Sequence, residues 1–260
     1  MAKNIWLIGG TTESVSIAKA IASSRIPFIV TVTTESAQSL YASDAQTQVR
    51  CMDGRAMRGF CREKSVGAIV DASHPYAVEV SQNAIATAQA IDISYLRYER
   101  NSCNSSVDAK SSSPIIPLDS WETLLAGDYL TGKRVLLTVG CKTLPLFKSW
   151  QDRATLFARV LPQTESLKIA LAAGFTSDRL IAIRPPISVD LETALWQQWQ
   201  ISLVVTKASG KAGGEDIKRQ VANDLNIPLI IISRPKVVYP QQTSCLDEVV
   251  AFCRQCTLHN

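Results

Sequence analysis

The chain has 260 residues, 46% of them hydrophobic and 19% charged, with a net charge of +4 at neutral pH. The length suits two domains of ordinary size and the composition excludes a disordered chain, while the mild charge, without a Lys/Arg run, argues against nucleic acid as a partner. No apolar run reaches the length of a membrane span and the N-terminus goes straight into a strand, so no membrane partner and a cytoplasmic location are expected.

In chain order, the first half alternates apolar runs of strand type with stretches of helical spacing. Strands are expected at 4–8, 28–33, 46–51, 67–71 and 94–97, and helices at 12–24, 36–42, 55–64 and 75–91. The first strand runs into Ile8-Gly9-Gly10-Thr11-Thr12, where the glycines allow a tight turn and a close ligand approach, and the threonines offer hydroxyl and N–H groups to phosphate. The third glycine of the dinucleotide fingerprint is missing, so the same residues also fit a plain strand-to-helix turn. About twenty residues on, the second strand ends in Thr33-Thr34-Glu35, where an acidic side chain would accept a bond from a ribose 2′-hydroxyl and repel a 2′-phosphate. Glu35 therefore favours NADH over NADPH if it points inward, and is a solvated loop glutamate otherwise.

The fourth strand ends in Asp71-Ala72-Ser73-His74-Pro75-Tyr76-Ala77, which puts one of the chain's two histidines at a strand-to-helix turn. Pro75 suits the first helical position, and the helix N-terminus then opens toward an anion such as a cofactor phosphate. A His74 that merely caps the helix is the competing reading.

From Asn101 to Ser113 the chain carries six serines and no large aliphatic residue besides Val107, which reads as a linker between domains 1–100 and 114–260. Beyond it the alternation resumes, with strands near 133–138, 154–160, 179–183, 202–206 and 228–233 and helices near 119–127, 143–150, 164–173, 188–199, 213–224 and 244–257. Strands separated by helices of this length pair in parallel, so the expected fold is α/β: two doubly wound, Rossmann-like parallel-sheet domains with a ligand cleft between them. Seven cysteines without paired spacing indicate reduced thiols, and Cys253-Arg254-Gln255-Cys256 reads as two thiols on one helix face. With only His74 and His259 to complete a site, no metal is assigned.

The Gly-Gly-Thr turn, the stretch DASHPYA at 71–77 and Tyr95-Leu96-Arg97-Tyr98-Glu99-Arg100 together resemble the precorrin-6A reductase family of cobalamin biosynthesis. The second half is similar too, in Leu137-Thr138-Val139-Gly140-Cys141-Lys142, Ala158-Arg159-Val160-Leu161-Pro162, Thr206-Lys207-Ala208-Ser209-Gly210 and Ser233-Arg234-Pro235. The resemblance runs the length of the chain; Ala208 departs from the asparagine usual between that lysine and serine. It implies a two-domain enzyme that uses NADH or NADPH to reduce one carbon–carbon double bond of a corrin precursor, either metal-free or cobalt-containing. Gly9, Gly10, Thr11, Thr12, Thr33, Thr34, Glu35, Ser73, His74 and Pro75 are then the expected cofactor contacts, with His74 and Tyr76 as candidate proton donors. The precursor carries many carboxylates, for which Arg97, Lys142 and Lys207, with Arg100, Lys211 and Arg234, are candidate partners beside Ser209 and Gly210. Architecture alone would also permit a glycosyltransferase of two facing Rossmann-like domains or a non-catalytic dinucleotide sensor.

Overall fold

The computed structural model describes residues 3–42, 45–100 and 114–258. The chain forms two compact units, Met1–Asn101 with Pro235–Asn260, and Ser102–Arg234. The serine-rich stretch read as a linker lies outside the described residues.

In the first unit β1 (Asn4–Ile8), β2 (Phe28–Val32), β3 (Thr47–Val49), β4 (Val66–Asp71) and β5 (Ser94–Tyr98) alternate with α1 (Thr12–Ser23), α2 (Glu35–Gln38), α3 (Gly54–Glu63) and α4 (Val78–Ala90). Every pairing is parallel, in the order β3-β2-β1-β4-β5, the doubly wound arrangement whose chain direction reverses beside β1. Alternate residues of β1 serve opposite faces: Ile5 and Leu7 pack with Ile17 and Ile21 of α1, Trp6 and Ile8 with Met57 and Phe60 of α3. Both faces are thus covered, which is why the strands read as continuous apolar runs; each fully buried side chain of this size contributes roughly 1.5–3 kcal/mol.

The second unit contains β6 (Ile115–Leu118), α5 (Trp121–Ala126), β7 (Arg134–Thr138), β8 (Thr155–Val160), α6 (Thr164–Ala172), β9 (Leu180–Ala182), α7 (Val189–Gln198), β10 (Leu203–Lys207), α8 (Glu215–Leu225) and β11 (Leu229–Ile232). Its all-parallel sheet runs β9-β8-β7-β10-β11-β6, so the two units share one strand order. The sixth position is filled from the unit's own beginning. That strand escapes a sequence reading because Pro117 interrupts it, a residue an edge strand tolerates because it need not donate to a ladder.

Three expectations are corrected. The segment 235–258 does not belong to the second unit: β12 (Gln242–Thr243) pairs with β5, and α9 (Leu246–Leu258) buries Val249, Phe252 and Cys253 in the first unit's core. The helix expected over 143–150 is a 3-10 helix, Cys141–Trp150, with Pro145 inside it lacking the N–H an α-helix would use. Helix α4 begins at Val78, not at Pro75, because His74–Ala77 forms its own turn, Ala77 N–H donating to the His74 carbonyl at 2.7 Å. The described cysteines are unpaired; burial pushes the Cys253 thiol up to about 12, while Cys51 and Cys245 are exposed.

Candidate functional site

In the first unit the carboxyl ends of β1, β2, β3 and β4 surround a cavity of about 200 Å³, lined among others by Gly9, Gly10, Thr33, Thr34, Arg50, Ser73 and His74. Of the expected cofactor contacts, Gly9, Gly10, Thr33, Thr34, Ser73 and His74 reach it. Thr11, Thr12, Glu35 and Pro75 do not line it.

Gly10 has φ +105°, a conformation that side chains rarely adopt, and an added Cβ there would meet nothing nearer than Ala37 at 4.0 Å. Open space over a left-handed glycine is what a closely approaching ligand requires. Thr11 caps α1, its side chain accepting from Ser14 N–H at 3.1 Å and donating to the Ala72 carbonyl at 3.0 Å. Ser14 Oγ accepts from Gly10 N–H at 3.1 Å and Thr11 N–H at 3.0 Å and lies 2.6 Å from the Tyr41 hydroxyl, which itself accepts from Gly10 N–H at 2.9 Å. Tyr41 and Ser14 were invisible as site residues in the sequence, because their roles depend on the loop after α2 folding back under the turn. At the opening of α1 the carboxylate of Glu13 is held 3.0 Å from Arg100, which offsets a charge that would otherwise oppose an anion at this helix end. Arg100 therefore has a partner within its own unit.

The turn after β4 is anchored from below. Asp71 is fully buried; its Oδ1 accepts from Ser73 N–H at 2.9 Å and Arg97 NH1 at 3.0 Å, and its Oδ2 from Ser81 Oγ at 2.6 Å and Tyr95 Oη at 2.7 Å. Arg97, expected to meet substrate, is only 1% exposed and spans Asp71, Ser73 Oγ at 3.1 Å and Glu99 at 2.9 Å. A guanidinium taken out of water needs carboxylates of its own, so Arg97 is reassigned to the support of this turn. The clue lay in the strand's period of two: Tyr95, Arg97 and Glu99 share a face, and Arg97 is in register with Asp71.

His74 is exposed, and its Nδ1 accepts from Tyr76 N–H at 3.3 Å, which leaves the proton of the neutral ring on Nε2. Its ring centroid is 5.8 Å from that of half-buried Tyr76, which does not line the cavity. Glu35 sits in the first turn of α2, exposed and away from the cavity, whereas Arg50, which the sequence reading passed over, lines it at the end of β3 and packs over the Phe60 ring. Among the described residues lining this cavity there is no carboxylate.

In the second unit the turns after β7 and β10 lie at the same sheet end, Thr138 being in register with Thr206. Gly140 has φ +80° and Gly210 φ +68°, so both turns use backbone that suits glycine. Lys142 is exposed; Lys207 is half-buried with its ammonium 5.6 Å from the Trp121 ring centroid. Burial lowers the Lys207 pKa to about 8, the neighbouring Cys141 opposing the shift. Ser209 and Gly210 are buried: Ser209 Oγ packs against Gly213, and Gly210 N–H donates to Glu215 Oε2 at 2.9 Å. The Lys218 ammonium donates to the Gly213 and Gly214 carbonyls at 3.0 Å each. These bonds tie the turn to α8, and Lys207 is the half-buried cation where it begins; Arg234 lies against it, donating to the Ala208 carbonyl at 2.9 Å.

The family model described as precorrin-6x reductase CbiJ/CobK matches residues 4–254. The chain belongs to this family. A cobalt-precorrin-6A reductase of Synechocystis sp. is 43% identical over 253 residues, covering 96% of each chain, and one of Priestia megaterium is 32% identical over 252 residues, covering 95% of this chain and 96% of the relative. A precorrin-6A reductase of Rhodococcus erythropolis is 29% identical over 94% of each chain. The solved structure of a CobK precorrin-6A reductase superposes with a TM-score of 0.81 at 21% identity, covering 98% of this chain and 97% of that one, which establishes the shared fold. Membership in an oxidoreductase family of cobalamin biosynthesis implies a nicotinamide cofactor and sets aside the glycosyltransferase and sensor readings.

Proposed function

We propose that this chain reduces one carbon–carbon double bond of cobalt-precorrin-6A with NADH or NADPH, the dinucleotide bound in the first unit and substrate carboxylates met by the second. The observation that carries the reading is the cavity at the chain reversal of the first sheet, where Gly10, Ser73 and His74 converge in a member of a reductase family. The donor set suits the cofactor: among the described residues, left-handed glycine backbone, four hydroxyls, one arginine and no carboxylate line the cavity. The cobalt-containing substrate is favoured over the metal-free one by the 43% identity to the Synechocystis enzyme, against 29% to the Rhodococcus precorrin-6A reductase.

When bound, the dinucleotide supplies the hydride. Gly10 and the opening of α1 would hold its backbone and phosphates, and the Ser73 hydroxyl, already accepting from Arg97, would be left to donate to it. His74 holds a proton on Nε2 at the rim and is the candidate donor to the carbon next to the one reduced; Tyr76 steadies it through its backbone N–H. Lys207 pairs with a substrate carboxylate. The cavity argues against the preference for NADH drawn from Glu35, because a 2′-phosphate there would meet Arg50, Thr33 and Thr34 rather than a carboxylate.

Fluorescence titration of the purified protein with NADH and NADPH tests the reading, with Gly10→Val as the control. The parent should bind at least one dinucleotide; valine at φ +105° should abolish binding while cooperative unfolding persists. Equal affinity in the variant would remove this turn from the site.

A further inference from the structure

We propose that Asp71 is a positioning residue for the dinucleotide, acting through Arg97 to fix the Ser73 hydroxyl as a donor. The proposal rests on the reading of the Ala72–His74 turn as a cofactor contact. Three observations carry it. Asp71 spends each carboxylate oxygen on two donors, and only one of the four, Ser73 N–H, belongs to the turn that lines the cavity. The second is Arg97, whose NH1 bridges Asp71 and Ser73 Oγ while its Nε is held by Glu99. The guanidinium is planar, so fixing two of its edges fixes the third, and Ser73 Oγ is offered a donor from one direction only. A hydroxyl has a single proton, and one that already accepts from a cation is both oriented and more acidic as a donor to the next group. Third, the Tyr239 ring packs against Arg97 at 5.3 Å from its centroid, and this tyrosine comes from the segment that returns from the second unit. The support is therefore completed only when the chain comes back to the first unit.

This arrangement is more than a stabilising ion pair. A pair serving the fold alone would gain nothing by engaging a hydroxyl that lines the cavity, and a buried pair is a weak source of stability in any case.

The experiment measures NADH and NADPH affinity by fluorescence titration, and unfolding in urea, for Asp71→Asn, Ser73→Ala and the double variant. Asparagine keeps the shape of the carboxylate, and the Ser81 and Tyr95 hydroxyls can turn to accept from its amide. Each single variant should weaken binding by about tenfold, the loss of one charge-assisted hydrogen bond. The double variant should bind no more weakly than Ser73→Ala alone, because the two changes interrupt one chain of contacts. Multiplicative losses, or an Asp71→Asn protein that binds as the parent does, would overturn the positioning role. If Ser73→Ala leaves affinity unchanged, the reading of the turn itself fails, a separate outcome. Should Asp71→Asn not fold, Arg97→Lys serves: lysine keeps a charge against Asp71 but cannot span Ser73 and Glu99 together, and it should reproduce the loss and its non-additivity with Ser73→Ala. Parent-like affinity in Arg97→Lys would equally overturn the proposal.

Discussion

Placing a methyl group on Gly9 perturbs the turn between β1 and α1 directly. A Cβ there would lie 2.2 Å from Tyr41 Oη, 3.1 Å from its Cζ and 3.2 Å from Val30 Cγ1. The tyrosine ring is packed in the core beside Val30, so it cannot yield without losing its bond to Gly10 N–H and its contact with Ser14. Gly9→Ala should cost about 1–3 kcal/mol as an overpacked site, and dinucleotide affinity should fall with it because Gly10 is displaced. Tyr41→Phe alone should cost only about 1 kcal/mol, since Ser14 Oγ still accepts from Gly10 N–H. In the double variant the nearest atom is gone and the remaining contact at 3.1 Å needs only a small adjustment, so the double should be no less stable than Gly9→Ala. The coupling should be about 1 kcal/mol or more, read from urea unfolding of the four proteins, with NADPH titration on the same preparations. Additive losses, or an unperturbed Gly9→Ala, would refute the account of this turn.

Arg50→Glu should weaken NADPH by about tenfold or more and NADH by less than about threefold, whereas Glu35→Ser should leave their ratio unchanged; titration of each variant decides between the two side chains. Lys207→Met should raise KM for cobalt-precorrin-6A by at least about tenfold, the effect of stripping a buried carboxylate of its partner, with dinucleotide affinity measured without substrate unaltered. The same variant carries a pH signature. The folded pKa of Lys207, about 8, lies below the ordinary lysine value near 10.4, so between them the unfolded chain holds the extra proton and stability rises with pH. The stability of the parent minus that of Lys207→Met should therefore increase from about pH 7 to about pH 9.5 in urea unfolding, and a flat or falling difference would contradict the burial of that ammonium.

Period and punctuation made most of the fold legible. Apolar runs separated by helical stretches specified parallel strands, and the glycine turns and the DASHPYA stretch marked the strand ends that border the first unit's cavity and its counterpart turns in the second. What stayed hidden depended on contacts distant in sequence. No local signal tells that α9 packs on α1 rather than on its neighbours in the second unit, because an amphipathic helix carries no address. Arg97 reads as a cation for substrate carboxylates because its partner, Asp71, lies on another strand, and the pairing exists only once the two are in register. Tyr41 reaches the glycine turn, and Arg50 the cavity, from the irregular chain around α2 and β3, where sequence periodicity gives no direction. Glu35 was misplaced for the opposite reason: the spacing rule located the end of β2 correctly, but the chain turns into α2 at Thr34 and leaves the carboxylate in solvent.

The central claim is hydride transfer from a dinucleotide to a corrin precursor. It is tested most directly by incubating the protein anaerobically with cobalt-precorrin-6A and NADH or NADPH deuterated at the transferable position, followed by mass analysis of the product. The account predicts that the product gains one deuterium from the dinucleotide and one proton from solvent, with equivalent oxidation of the cofactor. Reduced product without deuterium, or no dinucleotide oxidation in the presence of substrate, would contradict it.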